Sequence, residues 1–316
     1  MWAIFLLTHR TESNASIRRL NMKVNNMSKL NSFRNTKICV LLTYFNRREN
    51  TLGCFRALSI NTLPPGTELS AIVVDDGSTD GTSQALQEEF PWIQVERSTG
   101  NLYWCRGMHQ AFKLAEQNNY DYYLWLNDDT VLQPDAIERL LLAEYRLRTQ
   151  EGGAVIVVGS TIDEKSGVLT YGGEVQVSAV RKTRFKKLQS SNAPQRCDSM
   201  NGNVVLVPRL AAHLLGNLDP AFEHAMGDTD YALRARKLGV AVWTAPGVHG
   251  TCSDNPKTGT YRDANLPLAH RWKLMLSRKG LPWRSWLVLT RRHTGLLWPL
   301  YFAWPYVSLV IGKYGR

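Results

Sequence analysis

Three polar clusters follow short apolar runs in the first half of the chain, and their side chains could hold a cation or an anionic ligand. They occupy residues 43–46, 75–80 and 127–129. In an open parallel sheet, ligands bind beyond the carboxyl ends of the strands, so we expect these clusters to converge. Grouped carboxylates repel one another unless a cation or hydrogen-bond donors intervene. A divalent ion on a diphosphate would remove this repulsion, because Mg²⁺ and Mn²⁺ favour carboxylate and phosphate oxygens.

The Asn127-Asp128-Asp129 cluster is the sharpest of the three, because it directly follows the apolar run at residues 122–126. Taken alone, two adjacent aspartates are most simply an acidic turn before the next helix, since aspartate is a favoured helix cap. Their position at a strand end, in company with the other two clusters, favours a ligand or metal site instead.

Asp75 and Asp76 open the second cluster and are followed by glycine and serine. These residue types are typical of turns, so a turn is one interpretation. In the functional interpretation, one of the two carboxylates accepts hydrogen bonds from a nucleobase or a ribose.

A candidate base lies in the segment 227–230, which precedes a predicted helix. We expect Asp230 to have a structural role such as capping that helix, an interaction that contributes about 1 kcal/mol. Asp228 is then free, and a carboxylate that points into a cleft can deprotonate an acceptor hydroxyl.

His249 lies just beyond the last predicted strand. A lone histidine is most often structural or exposed, but imidazole is a common metal ligand, so metal ligation is the alternative interpretation. His224, close to Asp228 in the sequence, is a weaker candidate of the same kind.

The elements that must position these residues alternate regularly from Lys37 onward. Short apolar runs predict buried strands at residues 38–43, 69–74, 93–95 and 122–126. Helices are predicted between and after them, ending near residue 58 and covering residues 83–90, 101–118 and 135–149. This alternation predicts an α/β fold with a mostly parallel central sheet that is covered by helices on both faces.

The pattern changes after residue 155. We predict strands at 155–159, within 167–180, at 204–208 and at 240–244, helices at 209–215 and 228–238, and a basic loop at 181–187. The strands within 167–180 alternate apolar and polar residues, which is typical of antiparallel pairing.

Composition is that of a globular chain with basic ends. Of the 316 residues 44% are hydrophobic and 21% are charged, and the formal net charge is +11. The excess charge flanks a more acidic centre, whereas nucleic-acid-binding domains usually place basic residues on their fold-defining elements, so no nucleic-acid partner is predicted. The five cysteines are scattered without a CxxC pair, which indicates neither a disulfide framework nor a zinc site.

The C-terminal tail differs in kind from the rest of the chain. Residues 264–316 contain nine Lys or Arg, no Asp or Glu, and five tryptophans. Residues 295–312 are uncharged, close to the minimum length of a membrane-spanning helix, but prolines interrupt them. Aromatic and basic residues together are typical of a segment at an anionic membrane surface; packing of the tail on the core is the alternative.

In this order, the motifs resemble those of the family-2 nucleotide-sugar glycosyltransferases, which have the GT-A fold. The matching text is VLLTYFNR at 40–47, VVDDGSTDGT at 73–82, GN at 100–101 with GM at 107–108, LNDD at 126–129 and GDTD at 227–230. The block at 100–108 and the GDTDY sequence look most like bacterial surface-polysaccharide enzymes, some of which are rhamnosyltransferases.

The resemblance implies an inverting, metal-dependent transfer of a sugar from a nucleotide-diphosphate donor to a glycan or a polyprenyl-diphosphate-linked acceptor. Asp228 matches the catalytic base, while Asp129, with His249, would ligate Mn²⁺ or Mg²⁺ on the diphosphate. The acceptor side would be lined by Asn201, Gly202 and Asn203. The residues that would contact the nucleotide sugar are Thr43, Asn46, Asp75, Asp76, Asn101, Gly107, Asn127 and Asp128.

The chain departs from the family pattern at three places. The metal motif begins with an amide, Asn127, and the base motif reads Gly-Asp where many members have Glu-Asp. Processive members carry Gln-x-x-Arg-Trp, but Leu268 stands where that glutamine would be, so we expect one sugar per encounter. A metal-dependent nucleotidyltransferase and a catalytically inactive, membrane-bound sugar-nucleotide binding protein are the alternatives; the first usually has a Gly-rich loop after its first strand.

The predicted organisation has three parts. Residues 1–36 are expected to be a poorly ordered basic extension without a signal peptide, in which Met22 or Met27 could be the natural start. Residues 37–265 form the glycosyltransferase domain, and residues 266–316 form a helical segment that contacts a membrane. The expected location is the cytoplasmic face of the inner or plasma membrane, with peripheral or monotopic attachment.

Overall fold

A computed structural model describes residues 30–254 and 258–312 of the chain. The strands, in chain order, are β1 (Lys37–Tyr44), β2 (Glu68–Asp75), β3 (Ile93–Arg97), β4 (Tyr122–Leu126), β5 (Val131–Leu132), β6 (Val155–Ile162), β7 (Leu169–Tyr171), β8 (Gly173–Gln176), β9 (Phe185–Lys187), β10 (Gln195–Arg196), β11 (Ser199–Met200), β12 (Val204–Pro208) and β13 (Ala241–Thr251). The helices are α1 (Arg48–Ser59), α2 (Thr82–Glu89), α3 (Tyr103–Ala115), α4 (Ala136–Glu151), α5 (Arg209–Leu215), α6 (Gly227–Lys237), α7 (Leu268–Leu276), α8 (Trp283–His293) and α9 (Trp298–Val310).

The central sheet has the strand order β10-β13-β6-β12-β4-β1-β2-β3, with β5 paired to β13 and β7 paired to β6. Strands β3, β2, β1 and β4 run parallel, and β13 runs parallel to β6. Between these groups β12 is antiparallel to both neighbours, and β8, β9 and β11 form a separate small sheet. The predicted α/β fold with a mostly parallel sheet is confirmed, and it is consistent with a GT-A fold.

Alternation along β1 explains why the sheet is covered on both faces. Successive side chains of a strand point to opposite faces. Ile38, Val40 and Leu42 therefore join the core that includes α1 and α4, while Cys39 and Leu41 join the core that includes α3 and α6. All five side chains are fully buried. A continuous apolar run thus makes a strand that can lie only at the centre of the layers.

Three sequence predictions about element boundaries are wrong. The last strand does not end at residue 244: β13 continues through a bulge at Gly247 and pairs with β6 again, so His249 lies inside the strand. The predicted basic loop at 181–187 contains β9. Helix α3 starts at Tyr103 rather than at residue 101, because Gly100 and Asn101 have left-handed backbones with φ values of 93° and 69°.

The two ends of the described chain both pack on the domain. The predicted N-terminal extension lies mostly outside the described residues, but Phe33 is buried beside Tyr145, so packing begins before Lys37. At the other end, Met275, Trp286 and other side chains of the C-terminal helices enter the core that includes α6. Among residues 30–254 and 258–312, every helix is too short or too polar to cross a lipid bilayer.

Candidate active site

The three polar clusters meet at one edge of the central sheet, as the strand order predicts. Loops after β1 and β2 are joined by Asn46, whose backbone N–H donates to Ser78 Oγ at 3.0 Å and whose side-chain oxygen accepts the Thr79 N–H at 2.8 Å. Loops after β1 and β4 are joined by Arg47, which reaches Asp128 and Asp129. The expected convergence is confirmed for all three clusters.

Arg47 spans the two aspartates with separate nitrogens, 2.9 Å from Asp128 Oδ1 and 2.8 Å from Asp129 Oδ2. A guanidinium suits such paired recognition, because its donors form a rigid planar fork. Burial raises the pKa of Asp128 to about 7, and the attraction of Arg47 only partly opposes it. The second oxygen of Asp128 is buried and has no hydrogen-bond partner among the described residues. The site therefore keeps one unused carboxylate oxygen.

This donor set fits a divalent cation held together with a diphosphate. Mg²⁺ is usually bound by one or two protein carboxylates while substrate phosphates and water complete its shell. Asp128 and Asp129 supply such carboxylates, and the unused oxygen of Asp128 is available. The part of the chain that the structure describes contains no group of three or more His, Cys, Asp and Glu side chains arranged to hold a metal by themselves.

Cys252 is a neighbour of Asp129 that the sequence did not single out. Its thiol donates to Asp129 Oδ1 at 3.3 Å, and Asn203 Nδ2 donates to its sulfur at 3.4 Å. Burial, and then the Asp129 charge, raise the pKa of this thiol to about 12, so it stays protonated and acts as a donor. Cys252 therefore ties the acidic pair to the loop predicted to line the acceptor side.

His249 is fully buried on β13, and both of its ring nitrogens lack a hydrogen-bond partner within residues 30–254 and 258–312. Burial and the nearby Arg139 lower its pKa to about 3, so the imidazole is neutral, which is the form that ligates metals. Its side chain packs so close to Gly159 that a Cβ there would lie 3.1 Å from it. The predicted ligand role stays a prediction. The His224 ring packs edge to face against Tyr103.

Asp75 and Asp76 both hold loops in place. Asp75 accepts the Ser78 N–H at 2.7 Å and the Ser83 hydroxyl, which closes the loop after β2. Asp76 accepts the N–H groups of Leu102 and Tyr103, at 2.9 and 2.8 Å. The turn interpretation of Asp75 is therefore what the structure shows, and Asp76 fixes the left-handed segment that leads into α3.

Thr43, Asn101 and Gly107 occupy the borders of the same site. Thr43 donates its hydroxyl to Val74 O at 3.0 Å. A Cβ added to Gly107 would lie 2.3 Å from that hydroxyl oxygen, so the glycine lets α3 approach β1. Asn101 is exposed and accepts a bond from Arg278, which follows α7. The donor-binding roles of these three residues remain predictions.

The predicted acceptor loop connects the acidic cluster to the candidate base. Asn127 donates its backbone N–H to Asn203 O at 3.1 Å, while Gly202 donates its N–H to Asp228 Oδ2 at 3.0 Å. The Trp104 ring lies against Gly202, where a Cβ would approach it to 2.4 Å, and its indole N–H donates to Asn127 Oδ1 at 2.8 Å. The backbone N–H of Asn201 donates to the carbonyl oxygen of Gly172, which lies between β7 and β8.

Asp228 sits at the start of α6 with a second acid nearby. Burial raises the pKa of Asp228, although the N–H groups of Thr229 and Gly202 act in the opposite direction. Glu174 on β8 has a pKa raised to about 7 by burial and then by the Asp228 charge. Sequence reasoning missed Glu174, because the small sheet that places β8 beside this loop is visible only in three dimensions. Nothing in the sequence around Glu174 or Asp228 indicates that the two carboxyl groups lie close together.

Asp230 does not cap α6, which begins with Met226 in a left-handed conformation and without a side-chain cap. The side chain of Asp230 is instead fully buried and accepts hydrogen bonds from Arg234 at 2.9 Å, Arg292 at 2.8 Å and His293 at 2.8 Å. The last two belong to α8, so Asp230 fastens the C-terminal helices to the helix that carries Asp228. The prediction that Asp230 has a structural role is confirmed, but the prediction that it caps the helix is wrong.

Comparison with known proteins gives one family match and three relatives. The family model described as glycosyl transferase family 2 matches residues 39–203, which run from β1 through the acceptor loop. Uncharacterized proteins of Mycobacterium bovis and of two strains of Mycobacterium tuberculosis are 26% identical over 191 residues, which is 56% of this chain. The chain spans 66% of the length of these relatives. Asp228 and His249 lie beyond the family match.

Proposed function

Because this chain belongs to glycosyl transferase family 2, we propose that it transfers one sugar per encounter, with inversion, from a nucleotide diphosphate to an acceptor hydroxyl. The family implies a nucleotide-sugar donor and an acceptor. The divalent cation, the stereochemistry, the single transfer and the identity of both substrates are parts of the proposal.

The observation that carries the proposal is the position of the loop 201–203, which is hydrogen-bonded both to the candidate base and to the acidic cluster proposed to bind the donor. Gly202 in this loop donates its N–H to Asp228, and the carbonyl oxygen of the next residue, Asn203, accepts the N–H of Asn127. A donor diphosphate at Asp128 and Asp129 and an acceptor at Asp228 would therefore meet across a single short segment. Catalysis by positioning requires such a fixed separation between the reacting groups.

Asp228 would act as the general base. Its carboxylate would take the proton of the acceptor hydroxyl as the hydroxyl oxygen attacks the anomeric carbon and the bond from that carbon to the diphosphate oxygen breaks. Attack opposite the leaving group inverts the anomeric centre. A raised pKa suits this role, because a stronger base removes the proton of the acceptor hydroxyl more readily.

The donor side would be held by Asp76 and Thr43 at the nucleoside and by Asp128 at the ribose or sugar. Asp129, with His249, would hold the cation, which when bound neutralises the charge that develops on the leaving diphosphate. Arg47 now satisfies both acidic side chains, so it must shift or share them when that cation enters.

We also propose the class of acceptor and the pathway. Support for a bacterial surface-polysaccharide enzyme, with rhamnose among the candidate donor sugars, comes from the sequence resemblance at 100–108 and 227–231. Support for single rather than processive transfer comes from Leu268, which replaces the glutamine of the processive motif.

A donor screen tests the central proposal. Purified protein with Mn²⁺ or Mg²⁺ is given a panel of nucleotide sugars with and without a glycan or polyprenyl-diphosphate-linked acceptor, and release of nucleotide diphosphate is followed. We expect one donor to be used and the rate to vanish with a chelator. Replacement of a general base removes a rate contribution of about 10²–10⁴-fold, so Asp228→Asn should lose that much while still binding the donor in calorimetry.

Matched variants separate the roles. Asp129→Ala should weaken binding of donor with metal, whereas Asp135→Asn, at an aspartate whose side chain is 59% exposed, should change neither binding nor rate. Full turnover by Asp228→Asn would rule out its role as base. If no nucleotide sugar binds the folded protein in calorimetry, the proposed transferase activity is refuted.

A further inference from the structure

Two of the C-terminal helices carry apolar stripes on their outer surfaces. On α7 the stripe is Leu268, Trp272 and Leu276, spaced by four residues. Along α9 and its ends the stripe is Leu297, Leu300, Trp304, Val307 and Ile311. Each of these side chains is between 38% and 67% exposed. A spacing of three and four residues places each set on a single face of its helix.

We call the exposed stripe of α9 the outer face. The ring of Trp272 on α7 meets the ring of Tyr306 on α9 edge to face, with 6.0 Å between centroids. This contact lies on the side of α9 away from the outer face, where Leu309 is buried and Phe302 and Tyr306 pack against the core. α9 is thus apolar all round. Such a helix is typical of a protein interior or of a membrane.

Basic residues border the outer face. Lys273, Lys279, Arg284 and Arg291 are all exposed. The Arg284 guanidinium lies over the ring of its neighbour Trp283, and that of Arg291 on α8 lies over the ring of Trp298 at the start of α9. No Asp or Glu occurs from residue 264 to the end of the sequence. Aromatic and apolar side chains in a segment whose charged side chains are all basic are the chemistry that anionic lipid surfaces attract. A second copy of this chain would bring the same positive charges together, which opposes pairing through this face.

We propose that the outer face docks on an anionic lipid bilayer, with α9 lying in the interface. Leucine, valine and tryptophan side chains would enter the boundary between headgroups and acyl chains. The exposed Lys and Arg would remain at the level of the lipid phosphates. The 13 residues of α9 are enough to lie in this boundary.

Docking would also orient the site. Arg292 on α8 bonds Asp230 at the start of the α6 helix, and Arg278 after α7 donates to Tyr103 at 2.9 Å and lies 4.8 Å over its ring. The docked helix packs on α8, where the Trp286 indole N–H donates to Phe302 O at 3.0 Å, and on α7 through Trp272. It is therefore connected through α8 to the helix that carries the candidate base, and through α7 to the donor-side loop. This consequence rests on the proposed function and predicts that the acceptor is lipid-linked and reaches Asp228 from the bilayer.

Vesicle flotation of the full chain tests the docking. The probes are vesicles of phosphatidylcholine with and without phosphatidylglycerol, each at low and high salt. We expect flotation with the anionic vesicles and weaker flotation at high salt, because salt screens the attraction of exposed charges. The variant Leu300→Glu with Trp304→Glu should bind at least about tenfold more weakly, since two apolar side chains no longer leave water.

The matched control is Leu210→Glu with Leu214→Glu, two exposed leucines with the same four-residue spacing on α5. This variant should float like the parent protein. Equal flotation of both variants, or no flotation of the parent, would overturn the proposal. So would a parent dimer in light scattering that Leu300→Glu with Trp304→Glu converts to a monomer, since a second copy would then cover the face. Donor hydrolysis in solution, measured on the same variants, should not change, so a failure of docking is distinguishable from a failure of the proposed activity.

Discussion

Replacement of Asp230 by asparagine is the most direct test of how the C-terminal helices are held. The carboxylate is fully buried and binds three cationic or potentially cationic side chains, two of them on α8. Removing one partner of a buried pair costs about 3–5 kcal/mol, because the remaining charge is left uncompensated. Here Arg292 is 32% exposed and keeps Asp219, and Arg234 keeps two carbonyl oxygens. We therefore expect Asp230→Asn to lower the free energy of unfolding by about 2–3 kcal/mol.

The pKa of Asp230 determines how its contribution to the free energy of unfolding changes with pH. Burial raises the pKa of Asp230, but His293, Arg234 and Arg292 outweigh burial, and the pKa is lowered overall. A carboxyl with a lowered folded-state pKa stabilises the protein above its unfolded pKa, about 3.9 for aspartate, and this stabilisation is lost as the pH falls through the folded-state value. The difference between the parent protein and Asp230→Asn should therefore be full at pH 7 and shrink in acid.

Urea unfolding at a series of pH values, followed by tryptophan fluorescence and circular dichroism, measures both quantities. Asp135→Asn serves as the exposed control and should change the unfolding free energy by less than about 0.5 kcal/mol. A loss below about 1 kcal/mol for Asp230→Asn at pH 7, or a difference that does not change down to the acid transition, would refute the account of Asp230 as a charged anchor.

Three further variants test the site itself. Arg47→Ala should let Mn²⁺ bind the donor-free protein roughly three- to tenfold more tightly in calorimetry, because Asp128 and Asp129 lose the guanidinium that now pairs with them. Weaker binding of Mn²⁺ by this variant would contradict the prediction. Burial raises the pKa of Glu174 to about 7, so its ionisation destabilises the fold as the pH rises above the pKa of the unfolded chain. In urea unfolding, Glu174→Gln should therefore be more stable than the parent by about 1–3 kcal/mol at pH 8 and equally stable below pH 4. Equal stability of the two proteins at both pH values would contradict the raised pKa. Gly107→Ala places a Cβ 2.3 Å from the Thr43 hydroxyl oxygen and should lower the free energy of unfolding by about 1–3 kcal/mol, measured by thermal unfolding. The control Gly53→Ala has open space around the new Cβ and should leave the stability unchanged or raise it. Equal effects of the two substitutions would show that α3 can shift away from β1.

The layered α/β fold and the place where the site forms follow from the order of apolar and polar residues along the chain. Continuous apolar runs such as the one at residues 38–43 can be satisfied only by strands buried on both faces. Because the carboxyl ends of parallel strands share one edge of the sheet, the polar residues after β1, β2 and β4 had to meet there. The Arg47 fork on Asp128 and Asp129 is the contact that realises this prediction.

Local patterns failed where a long-range partner changed the outcome. The Pro-Gly pair at 246–247 reads as the end of a strand, yet the chain bulges and pairs with β6 again, which buries His249. Helical patterning at 101–118 gives no sign that Asn101 is held outside the helix, in the left-handed loop that Asp76 fixes by accepting the next two N–H groups. Hydrogen bonds between distant segments decided both cases.

Which charges lie together, and which apolar face stays exposed, depend on contacts between distant segments of the chain. Asp230 reads as a helix cap, and it becomes an anchor because α8 brings Arg292 and His293 to it across more than sixty residues of sequence. Glu174 approaches Asp228 because the small sheet folds back over the acceptor loop. The composition of the tail is visible in the sequence, but a helix that is apolar all round does not reveal which side packs inward. That choice depends on the shape of the core it meets, and here the core takes Leu309 and leaves Trp304 exposed.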